Sequence, residues 1–466
     1  MTAFITAQAD TLTARVMQEI HLRMNRRQLP PGARLPSIRG LAETLGVSKS
    51  TVVEAYDRLA AEGTIQARRG SGFYVCQPLP PMALAEIGPR LEREVDPLWV
   101  ANQSLGAQEG LLKPGCGWLP ADWLPQESLR RALRATARAE DAVLADYATP
   151  LGLPALRQLL ARRLGEHAIE ADPEQILLAD SGTHAIDLVC RFLLEPGDTV
   201  LVDDPCYFNF HPLLRAHRAK VVSVPYTPVG PDVARFEQAL EAHRPRLYLT
   251  NSALHNPTGA TLSPVVAHRL LKLAEQHALT IVEDDIFADF EPQPAPRLAA
   301  FDGLQRVVQV GSFSKTLSAS VRCGYIAARP DWIAALADLK IATAFGSGRM
   351  SAELVYRMLK DGSYRRHVEG LRQRLGQAMP AAIRRLAALG ITPWLEPRAG
   401  MFLWCRLPDG LDAVDLARRA LRHDIVLAPG NAFSLSQSES AFMRFNVAQC
   451  TDNRLFEALA HLLRPC

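Results

Sequence analysis

The sequence predicts an α/β chain in two parts: a small N-terminal helical block closed by a hairpin, then a large, mostly parallel sheet covered by helices that ends in a smaller α+β part. Three observations carry this. The chain has 466 residues, and at roughly 100–200 residues per domain that exceeds one ordinary core. Its charge divides unevenly: residues 1–76 hold ten Lys/Arg against six Asp/Glu, whereas the rest hold 42 against 43. From about residue 111 short apolar runs alternate with helical segments. That is the pattern of strands buried on both faces and joined by crossover helices.

In the first part, Leu12, Val16, Ile20 and Met24 recur every fourth residue and make one apolar stripe over residues 11–28. Leu29-Pro30-Pro31-Gly32 ends that helix. Ser37 is placed to cap a short second helix, Gly46 breaks it, and Ser48 is placed to cap a third that runs to about Glu62. After Gly63, Thr64–Ala67 and Phe73–Val75 flank Arg68-Arg69-Gly70-Ser71-Gly72, the pattern of a hairpin with a Gly-rich tip. Two helices joined through Leu45-Gly46-Val47-Ser48 have helix-turn-helix spacing. Ala42 is small where they meet, and Val47, Val52, Tyr56 and Leu59 can face the core. That leaves Lys49, Ser50 and Thr51 at the start of the third helix, where a recognition helix reaches base edges. Arg34 and Arg39 stand where backbone contacts are common, and Arg69-Gly70 at the wing tip suit a phosphate or minor-groove contact. The expected partner is double-stranded DNA.

Residues 77–81, Gln-Pro-Leu-Pro-Pro, read as a stiff boundary. A charged, helical connector follows, so the division is a DNA-reading domain at 1–76, a linker at 77–110 and a large domain at 111–466. Within the last, strands are expected at Ile176–Ala179, Thr199–Val202, Lys220–Val224, Leu247–Thr250, Thr280–Val282, Arg306–Val310 and Gly400–Arg406, and a helix at Pro264–His277. No two of the eight cysteines form a Cys-x-x-Cys pair, so no zinc site is expected, and scattered single cysteines suit a reducing cytosol. The first ten residues lack the basic start and apolar run of a signal peptide. No run of roughly 18 apolar residues predicts a membrane span. A cytoplasmic protein is expected.

Several strand ends of the large domain carry chemistry. Lys315 offers an amine just after the strand Arg306–Val310, inside Gly311-Ser312-Phe313-Ser314-Lys315. The hydroxyls of Ser312 and Ser314, and Arg322 seven residues past the lysine, can hold a phosphate. Asp284, in Glu283-Asp284-Asp285, is an acid at a strand's carboxyl end, where such sheets bind ligands. Ser181-Gly182-Thr183 opens a helix and aims N–H groups at an anion. Tyr207 can stack on a ring, and Asn256, in His255-Asn256-Pro257-Thr258-Gly259, can reach a ring hydroxyl. An amine, an acid for the pyridine nitrogen, a phosphate cup and an aromatic lid are what pyridoxal 5′-phosphate demands.

The stretch Leu35-Pro-Ser-Ile-Arg-Gly-Leu-Ala-Glu-Thr-Leu-Gly-Val-Ser-Lys-Ser-Thr-Val, with the closing Gly-Ser-Gly-Phe-Tyr-Val75, resembles the GntR family of bacterial winged helix-turn-helix domains over residues 10–76. The resemblance implies DNA contacts at Arg39, Lys49, Ser50, Thr51 and Gly70. Val53 departs from it, standing where some members carry a further DNA-contacting Arg. From about residue 111 the chain resembles fold-type I aminotransferases. That implies Lys315 as the Schiff-base lysine, Asp284 facing the pyridine nitrogen and Asn256 on the ring oxygen. Gly182, Thr183, Ser312 and Arg322 would hold the phosphate, and Tyr207 would stack. Arg444, in Met443-Arg444-Phe445-Asn446, matches the arginine that grips a substrate carboxylate. Tyr147 matches a tyrosine that reaches the neighbouring subunit's phosphate, which implies a homodimer. Phe287 stands where the family has a tyrosine bonding the ring oxygen, and a phenyl ring supplies no such hydroxyl.

The order of the two parts resembles the MocR subfamily of bacterial regulators. It implies a transcriptional regulator whose second domain senses an amino compound or the cofactor itself. The alternative is a working aminotransferase, moving an amino group from an amino acid to a 2-oxo acid, with an accessory DNA-binding domain. Phe287 argues for a ligand-exchange switch over efficient turnover.

Overall fold

The computed structural model describes residues 11–26, 28–30, 32–68, 71–76, 97–105 and 110–464. The chain divides into two compact units, Met1–Glu92 and Arg93–Cys466. Arg69, Gly70 and most of the expected linker lie outside the described residues.

The first unit holds helices α1 (Leu12–Asn25), α2 (Ile38–Leu45) and α3 (Lys49–Ala61), then strands β1 (Ile65–Arg68) and β2 (Gly72–Val75). A helix start leaves four N–H groups without partners. Here the side chains of Thr11, Ser37 and Ser48 each accept one, from Ala14, Gly40 and Thr51 at 3.2, 3.1 and 3.1 Å. Gly46 ends α2 with a left-handed φ of 63°. No atom lies within 4 Å of where its Cβ would be, so backbone conformation, not space, demands glycine there. Val16, Ile20, Leu41, Val52, Tyr56, Leu59, Ile65 and Val75 form the core, and Val47 packs at its edge. The expected α1 stripe runs out at its start, where Leu12 is 51% exposed. The hairpin begins one residue later than its pattern, because the Thr64 amide closes α3 by donating to the Leu59 carbonyl at 2.9 Å. Tyr56 ties the unit together: its hydroxyl donates to the Pro36 carbonyl at 2.8 Å, and its ring meets Phe73 edge-on at 4.9 Å.

The second unit is built on eight strands: β3 (Ile176–Ala179), β4 (Thr199–Asp204), β5 (Lys220–Thr227), β6 (Gly230–Pro231), β7 (Leu247–Thr250), β8 (Thr280–Asp284), β9 (Val307–Ser312) and β10 (Gly324–Ala327). Their order in the sheet is β3-β10-β9-β8-β7-β4-β5-β6. The pairs β5–β4–β7–β8–β9 are parallel. β10, which the sequence did not reveal, runs antiparallel to both β3 and β9. Alternate residues enter different cores. Leu177, Val200, Val202, Leu247, Leu249, Val282 and Val308 pack on one face. Ile176, Leu178, Leu201, Tyr248, Ile281 and Val307 pack on the other. With both faces covered the strands read as unbroken apolar runs.

β4, β8 and β9 each extend two residues past their apolar runs, adding Asp203-Asp204, Glu283-Asp284 and Gly311-Ser312. Those ends do not read as strand because their acids, glycine and serine break the apolar run, although most of them are buried. A smaller antiparallel sheet follows, with β11 (Thr392–Pro393), β12 (Phe402–Arg406), β13 (Ala428–Pro429) and β14 (Phe442–Asn446) in the order β11-β12-β14-β13. The left-handed φ of 91° at Gly400 delays β12 to Phe402. Among the described residues no helix is long and apolar enough to cross a membrane.

Behind the end of β8, the fully buried Arg297 donates to Asp285 Oδ2 at 2.9 Å, Glu291 Oε2 at 2.5 Å and the Ala295 carbonyl at 2.6 Å. Arg297→Met would leave two buried carboxylates without their cation. It is expected to cost about 3–5 kcal/mol, read as a lower urea midpoint for the second unit's unfolding.

Candidate functional site

Lys315 lies three residues past β9, and its Nζ donates to the Gly117 carbonyl at 2.7 Å. Burial, then the Arg444 guanidinium, push this amine down from 10.5 to about 8. Asp284 closes β8 and is buried. Burial pushes its carboxyl up to about 6, against the Ile286 N–H that donates to Oδ1 at 3.3 Å. The Asn251 amide fixes the same residue's carbonyl at 2.8 Å. Asp284 is thus a buried acid at the carboxyl end of a central strand, with no ion-pair partner among the described residues.

Arg444, in β14, is fully buried. Nη1 donates to Asn256 Oδ1 at 2.9 Å and Nη2 to the Gly115 carbonyl at 2.7 Å, while Nε has no partner. The rings of Phe402, Phe433 and Phe208 surround it at 4.3, 4.8 and 5.8 Å. Among the described residues no carboxylate pairs with it, and burial pushes its pKa down to about 10. A buried cation with no acid paired to it among the described residues is costly.

The turn Gly115-Cys116-Gly117 joins the two cations. A Cβ on Gly117 would sit 3.6 Å from Lys315 Nζ and 3.8 Å from Arg444 Nη2, and one on Gly115 would overlap the Ala428 amide at 2.4 Å. Asn446, two residues past Arg444 on the same face of β14, holds the turn by donating to the Cys116 and Trp118 carbonyls at 3.1 and 2.8 Å. Sequence reasoning missed these residues. The Gly-Cys-Gly spacing was the available signal, but glycines mark ordinary turns equally well.

Gly182 and Thr183 open the helix Gly182–Leu193, capped by Ser181, whose hydroxyl accepts from the His184 amide at 3.1 Å. A Cβ on Gly182 would meet Ser312 Cβ at 3.5 Å, so the helix start abuts the end of β9. Ser312 and Ser314 share a hydrogen bond of 3.0 Å. Arg322 takes a left-handed φ of 51°, is exposed, and has no ion-pair or hydrogen-bond partner among the described residues. The half-buried Tyr207 ring packs against Phe208 and Phe210 at 5.0 and 5.3 Å, and burial pushes its phenol up to about 12. Behind Asn256, the buried His255 sets Nδ1 2.8 Å from Thr258 Oγ1 and Nε2 3.3 Å from Asp203 Oδ2, under the stacked ring of Tyr226 at 3.8 Å. Phe287 contributes a buried ring, edge-on to Phe402 at 5.4 Å, and no hydroxyl. Tyr147 lies apart, 77% exposed and against Phe345 at 5.2 Å.

The structure therefore brings Lys315, Asp284, Asn256 and Arg444 into one site. Ser312 and Ser314 share their hydrogen bond at the end of β9, beside the helix start at Gly182. The donor set fits a phosphorylated pyridine carbonyl compound: an amine lowered to about 8, a buried acid with no ion-pair partner among the described residues, and paired hydroxyls next to a helix start. Among the described residues no His, Cys, Asp or Glu group could hold a metal ion.

In the first unit, Lys49 and Ser50 are exposed and Thr51 is half-buried at the start of α3. Ser48 Oγ binds Ser50 Oγ at 2.7 Å and Thr51 Oγ1 at 2.8 Å. Arg39 is exposed and pairs with Glu43 at 3.1 Å. Arg34 bridges to Tyr74, and its guanidinium lies beside Gly72. The Arg68 guanidinium sits over the Tyr74 ring at 4.4 Å, and the Tyr74 hydroxyl is 2.6 Å from Ser71 Oγ. Tyr74, not singled out in the sequence, thus organises the basic hairpin.

Two family models match the chain: bacterial regulatory proteins of the gntR family over residues 12–75 and aminotransferase class I and II over residues 120–462. The HTH-type transcriptional regulator YdcR of Escherichia coli K12 is 32% identical, over 93% of this chain and 94% of its own. The HTH-type transcriptional regulator NorG of Staphylococcus aureus USA300 is 26% identical over 88% of this chain and 95% of its own. The 2-aminoadipate transaminase of Thermus thermophilus is 30% identical over 75% of this chain and 88% of its own. Among solved structures, LysN, the α-aminoadipate aminotransferase of Thermus thermophilus complexed with N-(5′-phosphopyridoxyl)-L-leucine, superposes with a TM-score of 0.70 at 26% identity, covering 78% of this chain and 96% of that one. An archaeal alanine:glyoxylate aminotransferase gives a TM-score of 0.72 at 26% identity over 78% and 93%. The chain belongs to the aminotransferase class I and II family and, with its gntR-type helix-turn-helix ahead of that domain, is a transcriptional regulator of the MocR type.

Proposed function

We propose that the second unit binds pyridoxal 5′-phosphate at Lys315 and senses an amine bearing a carboxylate, and that the first unit passes this to DNA. The observation that carries the reading is Arg444, a fully buried cation with no acid paired to it among the described residues, next to the depressed amine of Lys315. When bound, the cofactor supplies an electron-accepting ring and a carbonyl open to amines. Lys315 would bond to that carbonyl, and Asp284 would hold a proton on the pyridine nitrogen. Gly182, Thr183, Ser312, Ser314 and Arg322 would hold the phosphate, Tyr207 would cover the ring, and Asn256 would donate its amide to the ring oxygen. An effector amine would displace Lys315 while its carboxylate docks on Arg444. Exchange of a covalent partner gives the two states different affinities for the effector, which any switch requires. The exposed Tyr147 and Phe345 fit coverage by a second copy of the chain, with Tyr147 completing the partner's site. For DNA, Arg34, Arg39, Lys49, Ser50, Thr51, Arg69 and Gly70 are the proposed contacts. A cytoplasmic setting suits such a regulator. Turnover as an aminotransferase is the second reading, favoured by the joint presence of Lys315, Asp284 and Arg444, and sustained product formation with a 2-oxo acid acceptor would establish it. Sensing of the cofactor alone is the third, and would show as a change in DNA affinity with no further effect of any amine.

The test is promoter binding with and without cofactor and an amino-acid panel. Lys315→Ala is expected to abolish the amine-dependent change in DNA affinity, and an unchanged response would overturn sensing through this residue. Loss of a charge-assisted pair costs about 1.5–3 kcal/mol, so Arg444→Gln should raise the effector concentration needed on the order of 10- to 100-fold.

The amine's low pKa gives a pH prediction. Lys315 is neutral above about 8 in the folded site but only above about 10.5 when exposed. Covalent capture of the cofactor by the apoprotein, followed by its visible band, should therefore accelerate as pH rises through about 8. Arg444→Gln removes a neighbouring like charge and should move that midpoint upward. The folded state also binds fewer protons than the unfolded chain between those values, so this group's contribution makes apoprotein stability rise with pH across that window.

A further inference from the structure

We propose that Val53 is a specificity-determining residue of the DNA reader, recognising the C5-methyl group of a thymine in the major groove. This rests on the DNA-binding role of the first unit. Val53 is 40% exposed on α3, whereas Val52, Ala55, Tyr56 and Leu59 supply that helix's buried face. It takes no part in the unit's core. An exposed β-branched residue gives a helix nothing in propensity, so its place is not explained by the fold.

Its neighbours say what it faces. Lys49 and Ser50 precede it by four and three residues, so the three share one strip of the helix. A helical side chain leans toward the N-terminus, which sets the Val53 methyls over the Lys49–Ser50 turn. The hydroxyls beside it are held: Ser50 and Thr51 both bond to Ser48 Oγ. Glu54 turns to the other flank, where it accepts from Arg58 at 2.5 Å and from Thr13 at 3.3 Å. One turn further on, the exposed carboxylate of Asp57 would repel phosphates and limits the groove-facing strip to its first two turns. What remains is a compact, exposed apolar knob between a cation and an acid on the strip that a recognition helix turns to the groove. The apolar feature on a base edge in the major groove is the thymine methyl.

The experiment uses the full chain. In vitro selection from random duplexes yields a site, and each thymine in it is then replaced by deoxyuridine, which removes only the methyl. Burying a methyl is worth about 0.8 kcal/mol, so one T→U position should weaken wild-type binding about fourfold. Val53→Ala should weaken binding to the unmodified site by a similar factor and lose the discrimination between T and U at that position. Alanine is the better helix former at this exposed position, and Val53→Thr, of the same shape, serves as a second variant expected to keep part of the discrimination. An unchanged T-to-U ratio in Val53→Ala, or a selected site with no methyl-sensitive position, would overturn the proposal while leaving DNA reading intact. Failure of the selection to enrich any sequence would overturn both.

Discussion

Burying the Arg444 guanidinium with no carboxylate paired to it among the described residues is the constraint around which the second unit is arranged. Desolvating such an ion is expensive, and an apolar interior does not offset it. The chain compensates with neutral groups only: the Asn256 side-chain oxygen, the Gly115 carbonyl and three aromatic faces. Those partners come from segments far apart in sequence. β14 carries the arginine, the Gly115–Gly117 turn closes over it, the loop after β7 presents Asn256, and β12 lays Phe402 beneath it. An acid at any of these places would stabilise the fold more and fill the seat. Burial and then the same charge lower the Lys315 amine, so under the proposed reading one buried cation would both receive an anion and ready a nucleophile.

The acids at the end of β8 follow a matching logic. Glu283, Asp284 and Asp285 are all buried, yet each has a different fate. Glu283 accepts from the Ser252 hydroxyl and from the Leu298 and Ala299 amides that open a short helix. Asp285 is neutralised by Arg297 and bonded by Gln309. Asp284 has no ion-pair partner among the described residues, and burial raises its carboxyl to about 6 despite the Asn251 and Ile286 donors. The pleat separates them: adjacent residues of a strand point to opposite faces, so Glu283 and Asp285 brace the scaffold while Asp284 points the other way, the acid proposed to meet the cofactor.

This separation shows what the sequence could and could not reveal. The winged unit was legible because its signals are local: caps at Ser37 and Ser48, the left-handed Gly46, and a core stripe on α3. The sheet was legible through apolar runs, but only where both faces are buried. The runs stop at Val202, Val282 and Val310, and the two further residues of β4, β8 and β9 include Asp284 and Ser312 alongside acids that brace the scaffold. β10 was hidden because Gly324–Ala327 is short and follows an irregular turn through Arg322. In the site, Lys315, Asp284, Asn256 and Arg444 stood out through motif order. Gly115–Gly117, Asn446 and the Asp203–His255 pair did not, because their roles depend on contacts across some 50 to 330 positions of chain.

Phe287 is where these strands of argument meet. Its ring lies against Phe402, and Phe402 lies beneath Arg444. A tyrosine there would have offered a donor beside the ring oxygen of a bound cofactor. With phenylalanine, the bond is left in the proposed reading to Asn256. Its orientation is set by Arg444: the arginine claims Oδ1, which turns the amide N–H₂ toward the site. A carboxylate arriving at Arg444 competes with Oδ1 for Nη1 and so loosens the hold on the Asn256 amide. Under the proposed reading, the absence of that hydroxyl would couple two tasks that two donors could have kept apart. Seating the effector's acid and steadying the cofactor's oxygen would pass through a single asparagine. Such coupling would hinder repeated turnover, because each product release would disturb the cofactor's hydrogen bonding. It suits a switch, in which occupancy of one position must be felt at another.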